Sequence, residues 1–178
     1  MKKLFLMCAL AAMGLGATQC TKAPQKKRLV AYFSATGTTR AAAEQLAEVL
    51  NADLYEITPA TAYTAEDLDW RDSLSRSYVE MHDKSSRPAI DGTVENLAEY
   101  DIVYIGFPIW WDSAPTVVNT FIEANDFAGK ILIPFATSGS SPIDNSCREL
   151  EETYPDLRWG EGLRITGLDA AAIEEWVK

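Results

Sequence analysis

RLVAYFSATGTTRAAAEQLAEVL, residues 28–50, changes its period half-way. Arg28 to Ser34 is a short run of apolar, β-favouring residues and reads as a strand. Thr38 to Leu50 repeats Ala, Leu and Val at helical spacing and reads as a helix. Ser34-Ala35-Thr36-Gly37-Thr38-Thr39 joins them, with four hydroxyls and one glycine in six residues. The same alternation continues downstream. Asp53 to Ile57 is a short strand. Tyr63 to Asp83 is mixed, with a helix expected from about Ala65 and a break at Ser86-Arg87-Pro88. Asp101 to Phe107 and Lys130 to Thr137 are apolar on both faces, as strands buried inside a parallel sheet are. Helices are expected at Pro115 to Asn125 and Ile143 to Tyr154. A last strand follows at Leu163 to Thr166, then a last helix at Asp169 to Val177, with Asp169 as its cap. Strands alternating with helices predict a doubly wound α/β domain: three layers around a five-stranded parallel sheet. Ligands of such sheets bind at the carboxyl ends of the strands.

Three loops stand at those ends. In the first, Ser34, Ala35, Thr36, Gly37, Thr38 and Thr39 surround the start of a helix. Its first N–H groups lack intrahelical partners, and its dipole favours an anion. Gly37 lets the backbone wrap, and the hydroxyls can donate to phosphate oxygens. The Gly-Lys-Ser/Thr ending of a nucleotide-hydrolysing loop is missing, and so is a GxGxxG pattern. A helix cap alone would need fewer hydroxyls. The second loop contains Pro108, Ile109, Trp110 and Trp111. Indoles favour burial, which a planar aromatic ligand provides by stacking. Adjacent side chains on extended backbone face opposite ways, so one Trp is expected beside a ligand and the other packed on the protein; the plainer alternative places both in the core or an interface. The third loop, Thr137, Ser138, Gly139 and Ser140, is suited to a polar ring edge, although Ser and Gly mark any loop.

The amino terminus has a separate logic. Lys2 and Lys3 precede Leu4 to Ala17, which is apolar or small and uncharged, as in a secretory signal. Cys20 follows in a sequence that resembles a lipobox, so residues 1–19 are expected to be a signal peptide and Cys20 the lipidated mature terminus. Ordinary cleavage after Gly16 is the alternative. Residues 20–28 are polar and read as a tether to a domain spanning 29–178. An exported, membrane-anchored lipoprotein on the periplasmic or cell-surface side is the expected form.

Composition narrows the function. There are 16 Lys and Arg against 26 Asp and Glu, a net charge of −10, which repels phosphate backbones and excludes general nucleic-acid binding. Export would leave Cys147 as the one cysteine besides Cys20, hence no internal disulfide. It reads as a small buried filler, and His82, the single histidine, as a surface or helix residue. One His and one Cys do not make a typical zinc site.

Taken together, Ser34-x-Thr36-Gly37-x-Thr39, the stretch Gly106-Phe107-Pro108-Ile109-Trp110-Trp111, and Gly129-Lys130 with Phe135 to Gly139 resemble the flavodoxin family, in a subgroup that also carries Asp67 to Trp70 and Ser86-Arg87-Pro88. The likeness runs from Leu29 to near the carboxyl terminus. It implies strand order 2-1-3-4-5 and FMN as a one- or two-electron carrier. Ser34, Thr36, Gly37, Thr38 and Thr39 would hold the phosphate. Pro108, Ile109, Trp110 and Trp111 would border the isoalloxazine, and Thr137 to Ser140 its pyrimidine side. Many flavodoxins also cover the ring with a Tyr from the third loop, but here no aromatic lies between Phe135 and Tyr154. The ring would then be open, or covered by the segment Tyr63 to Ser86, which carries Tyr63, Trp70 and Tyr78. The expected role is electron transfer, with the acidic face docking a basic redox partner protein. The alternatives are an FMN-dependent NAD(P)H quinone or nitro reductase, and a flavin-free exported binding module.

Overall fold

The computed structural model describes residues 26–178. The signal peptide expected at 1–19, the lipid site Cys20 and most of the 20–28 tether lie outside the described residues. Among the described residues, no helix is long and apolar enough to cross a membrane.

The chain runs β1 (Arg28–Tyr32), α1 (Thr38–Leu50), β2 (Asp53–Glu56), α2 (Arg76–His82), a 3-10 turn (Leu97–Glu99), β3 (Ile102–Pro108), α3 (Thr116–Ala124), β4 (Ile131–Thr137), α4 (Asp144–Thr153), β5 (Arg158–Trp159), β6 (Leu163–Arg164) and α5 (Ala170–Trp176). The sheet has the order β2-β1-β3-β4-β5, with β6 also on β4, and every pairing is parallel. This is the doubly wound α/β architecture that the alternation of periods predicts.

Side chains alternate across the sheet and divide the core into two layers. Leu29, Ala31, Phe33, Val103, Ile105 and Phe107 face one way, onto Val117, Val118 and Phe121 of α3 and Leu150 of α4. Val30, Tyr32, Tyr104 and Phe135 face the other way, onto Ala43, Leu46 and Leu50 of α1 and Ile173 of α5. β3 has no free face, which is why its sequence shows no polar alternation. Gly106 has a steric reason. A Cβ there would sit 2.1 Å from the Phe135 ring, its register partner on β4.

Two expectations need correction. The helix anticipated from about Ala65 begins instead at Arg76. Residues 64–75 are tight turns, because their own side chains compete for the backbone. Thr64 and Asp67 exchange side-chain to backbone bonds at 2.9 and 3.1 Å, the Arg71 N–H donates to Asp69 Oδ1, and the Leu74 N–H donates to Asp72 Oδ1. Ser75 then caps α2, accepting from the Tyr78 N–H. The last strand, expected as one piece at Leu163 to Thr166, is two short pieces that begin earlier, at Arg158. Between the pairs Leu132–Trp159 and Phe135–Leu163, β4 has two residues and the edge has three. Leu132 and Ala136 direct their carbonyls to this edge. Pro134, two residues from each, therefore turns its missing N–H the same way, and the ladder is interrupted there. As expected, Asp169 caps α5, accepting from the Ala172 N–H at 2.9 Å. Cys147 is partly buried on α4. Burial pushes its thiol up to about 11, helped by Glu151 and Asp144 nearby, so it is a filler and a poor nucleophile.

Candidate functional site

A cleft of about 640 Å³ opens at the carboxyl ends of β1, β3 and β4. Ala35, Thr36, Thr38 and Thr39 line it from the first loop, Pro108, Ile109, Trp110 and Trp111 from the second, and Thr137, Ser138 and Gly139 from the third. Three residues singled out in the sequence are outside this lining. Ser34 Oγ accepts the Gly37 N–H at 3.1 Å and shapes the first loop from behind. Gly37 is the N-cap of α1, and its φ of +89° is a left-handed conformation that glycine adopts without strain. Ser140 is exposed.

Because glycine has no side chain to cap with, the N-terminus of α1 has no side-chain cap bond. The N–H groups of Thr38, Thr39 and Arg40 have no intrahelical partners, and the dipole adds positive potential there. Thr36 and Thr38 are exposed, while Thr39 is buried, its hydroxyl 2.8 Å from that of Thr137. That bond ties the first loop to the third. The Ser138 N–H donates to Thr166 Oγ1 at 2.9 Å, which fixes the third loop to the end of β6. Arg40, the one cation at this helix start, is paired with Glu56 at 2.5 Å.

The two tryptophans both line the cleft and differ in burial, and a tight turn rather than alternation on extended backbone separates them. Trp110 is half-buried, edge-on to Phe33 at 5.6 Å and to Tyr63 at 5.4 Å. Trp111 is exposed, with Tyr78 and His82 edge-on at 5.6 Å. They belong to a two-residue hairpin. The Trp110 N–H donates to Ser113 O at 3.0 Å and the Ser113 N–H to Trp110 O at 2.9 Å. Trp111 and Asp112 between them have φ of +43° and +64°. Asn-Gly is the usual pair in such a turn, and a Trp there is strained. Helix α4 holds the turn: Asn145 Nδ2 and Ser146 Oγ donate to Asp112 O at 2.9 and 3.2 Å. His82, at the end of α2, stacks on Tyr78 at 3.8 Å and is exposed.

Four lining residues stand outside the expected site set: Leu68, Trp70, Ser77 and Thr166, of which Trp70 is an aromatic of the segment expected as an alternative cover. Thr166 sits at the end of the final strand, where the carboxyl-end rule applied equally. The other three come from the segment Tyr63 to Ser86, and of these Leu68 and Ser77 carry no local signal of a site.

Among the described residues, none that lines the cleft is ionisable. Among the described residues no group of three His, Cys, Asp or Glu is placed to hold a metal ion. The cleft offers hydroxyls and a helix N-terminus at one end and indoles at the other. Such a donor set fits a ligand with a phosphate and a planar ring.

Comparison with known proteins finds matches across the described residues. The family model described as Flavodoxin matches residues 27–178. A candidate flavoprotein from Bacteroides eggerthii is 55% identical, covering 86% of this chain and 96% of its own, with a TM-score of 0.84. Another from Bacteroides uniformis is 56% identical, covering 85% and 97%, with a TM-score of 0.83. A flavoprotein in complex with FMN from Lactobacillus acidophilus shares the fold, with 21% identity, coverage of 86% and 100%, and a TM-score of 0.68. No curated protein matches the chain.

Proposed function

The chain belongs to the flavodoxin family, and from that premise we propose that it holds FMN in the cleft and passes electrons to a partner protein. One observation supports this reading above the rest. A helix start without a cap of its own and a pair of tryptophans line one cleft that has no ionisable wall. Thr36, Thr38 and Thr39 with the first N–H groups of α1 would hold the phosphate by hydrogen bonds and the helix dipole. Pro108, Ile109, Trp110 and Trp111 would border the ring, and Thr137 to Gly139 would meet its polar edge. Bound FMN supplies the uptake and release of electrons. The chain's own residues bind and orient it and restrict the water around it. A wall without an acid or base favours electron exchange over a reaction in which the protein moves protons.

The acidic surface, at a net charge of −10, would recruit a basic redox partner, with rates that fall as salt rises. We further propose that residues 1–19 direct export and that Cys20 carries a lipid, leaving the domain tethered outside the cytoplasmic membrane. Titration with FMN, followed by tryptophan and flavin fluorescence, tests the core of the reading. One-to-one quenching, weakened about tenfold by Thr38→Ala, is expected. A protein that stays colourless at tens of micromolar FMN would overturn it in favour of a flavin-free binding module. Turnover of NAD(P)H and a quinone without a second protein would replace the carrier by a reductase. Detergent-phase partition lost in Cys20→Ser is the expected mark of the anchor.

A further inference from the structure

The chain between β2 and β3 leaves the sheet through a narrow neck. The Ala60 N–H donates to Ala89 O at 2.9 Å, the Asp91 N–H to Thr58 O at 2.8 Å, and Pro59 faces Ile90 antiparallel. Beyond the neck the excursion is pinned over the cleft by Tyr63. Its ring lies against Phe33 and Trp110 at 5.6 and 5.4 Å, and its hydroxyl donates to Glu80 at 2.5 Å. Arg76 covers the ring at 4.0 Å, donates through Nε to the same Glu80 at 2.6 Å and through Nη1 to Thr61 O at 2.7 Å. From this anchored body Trp70 reaches the cleft that Trp111 lines.

Trp70 is 63% exposed, with the Arg71 guanidinium 5.0 Å from its ring. An indole this open loses most of its burial free energy unless a ligand covers it. The third loop has no aromatic to offer a ring, since residues 136–153 contain none. We propose that Trp70 is the second aromatic wall of the ring site, supplied by the 58–91 excursion in place of the loop after β4. The inference rests on the flavin-binding reading above. Trp70 lines the same cleft as Trp110 and Trp111, so its indole would add aromatic contact to a bound ring and take more of that ring's surface from water. Trp70 thus recognises the ring and is indifferent to the phosphate.

Ligands with and without phosphate separate the two ideas. Trp70→Ala, in the full chain, is expected to weaken FMN and riboflavin equally, each about tenfold, and to raise the emission of the bound flavin. Trp70→Phe, which keeps a ring, stays within about threefold of the wild type. Leu74→Ala changes nothing, because Leu74 is 84% exposed on the same excursion and outside the cleft lining. Thr38→Ala weakens FMN alone. Circular dichroism checks that each variant is folded. If the wild type binds both ligands and Trp70→Ala binds them equally well, the inference fails while the flavin reading stands. An equal loss in Leu74→Ala would also overturn it, because the excursion as a whole and not the indole would then matter. A wild type that binds neither ligand overturns the flavin reading and this inference with it.

Discussion

Thr39 and Thr137, 98 residues apart in sequence, share one hydrogen bond of 2.8 Å, and both side chains are buried. Removing one hydroxyl strands the other, and an unpaired buried hydroxyl costs about 1–3 kcal/mol. Thr39→Val and Thr137→Val are each expected to lower unfolding free energy by about 1–2 kcal/mol in urea. The double variant should be little worse than either single one, because it leaves no orphan. Strict additivity would show that the two hydroxyls do not depend on each other. Each threonine is legible in the sequence as a loop hydroxyl, but their partnership is not. Only the parallel pairing of β1, β3 and β4 brings residues 39 and 137 together. Trp110 and Trp111 tell a similar story. The adjacent indoles are legible as an aromatic loop, while the turn that sets them apart and the contact of Trp110 with Tyr63 are named by no local pattern.

The hairpin that carries Trp111 trades backbone comfort for placement. Asp112, with φ of +64°, is where glycine would fit best. Asp112→Gly is expected to raise stability by roughly 0.5 kcal/mol, the relief of the left-handed backbone being partly offset by the greater freedom of glycine when unfolded. A loss in urea denaturation would mean that the Asp112 side chain, and not its backbone, holds the turn. The elements themselves were legible to different degrees. β1, α1, β3 and α3 follow their hydrophobic periods closely. α2 does not, since Asp67, Asp69 and Asp72 divert the backbone before Ser75 lets a helix begin. The split of the last strand depends on Pro134 of its neighbour, a residue 24 positions before Arg158 and invisible to a local window.

The whole molecule has an acid and an alkaline limit of stability. The Tyr100 hydroxyl donating at 2.7 Å, with Lys27 beside it, holds Asp53 below the usual 3.8. Burial raises Glu149, but bonds from Ser113 and Lys84 outweigh it and leave Glu149 below its usual 4.5. Depressed carboxyls bind protons more weakly folded than unfolded, so their contribution is present above those usual values. It is lost as pH falls through the folded ones. Burial, then the bond to Glu123, pushes Tyr154 up to about 12. Its contribution is full below the ordinary 10 and is lost as pH rises to about 12. Thermal melts should therefore show a plateau between about pH 5 and 9, with Tm falling on both sides. Glu149→Gln should flatten the acid limb, and Tyr154→Phe the alkaline one.

A sheet ends in two rows of unpaired backbone, and each row is an invitation to a neighbour's strand. Here β2 closes one side with only four residues, and the other side is two pieces of two residues with an extra residue wedged between them. An approaching chain finds no long register to copy on either side. Neighbouring copies gain little by adding strands to one another at either of these edges, which are short and interrupted where flatter, longer ones can knit into fibres.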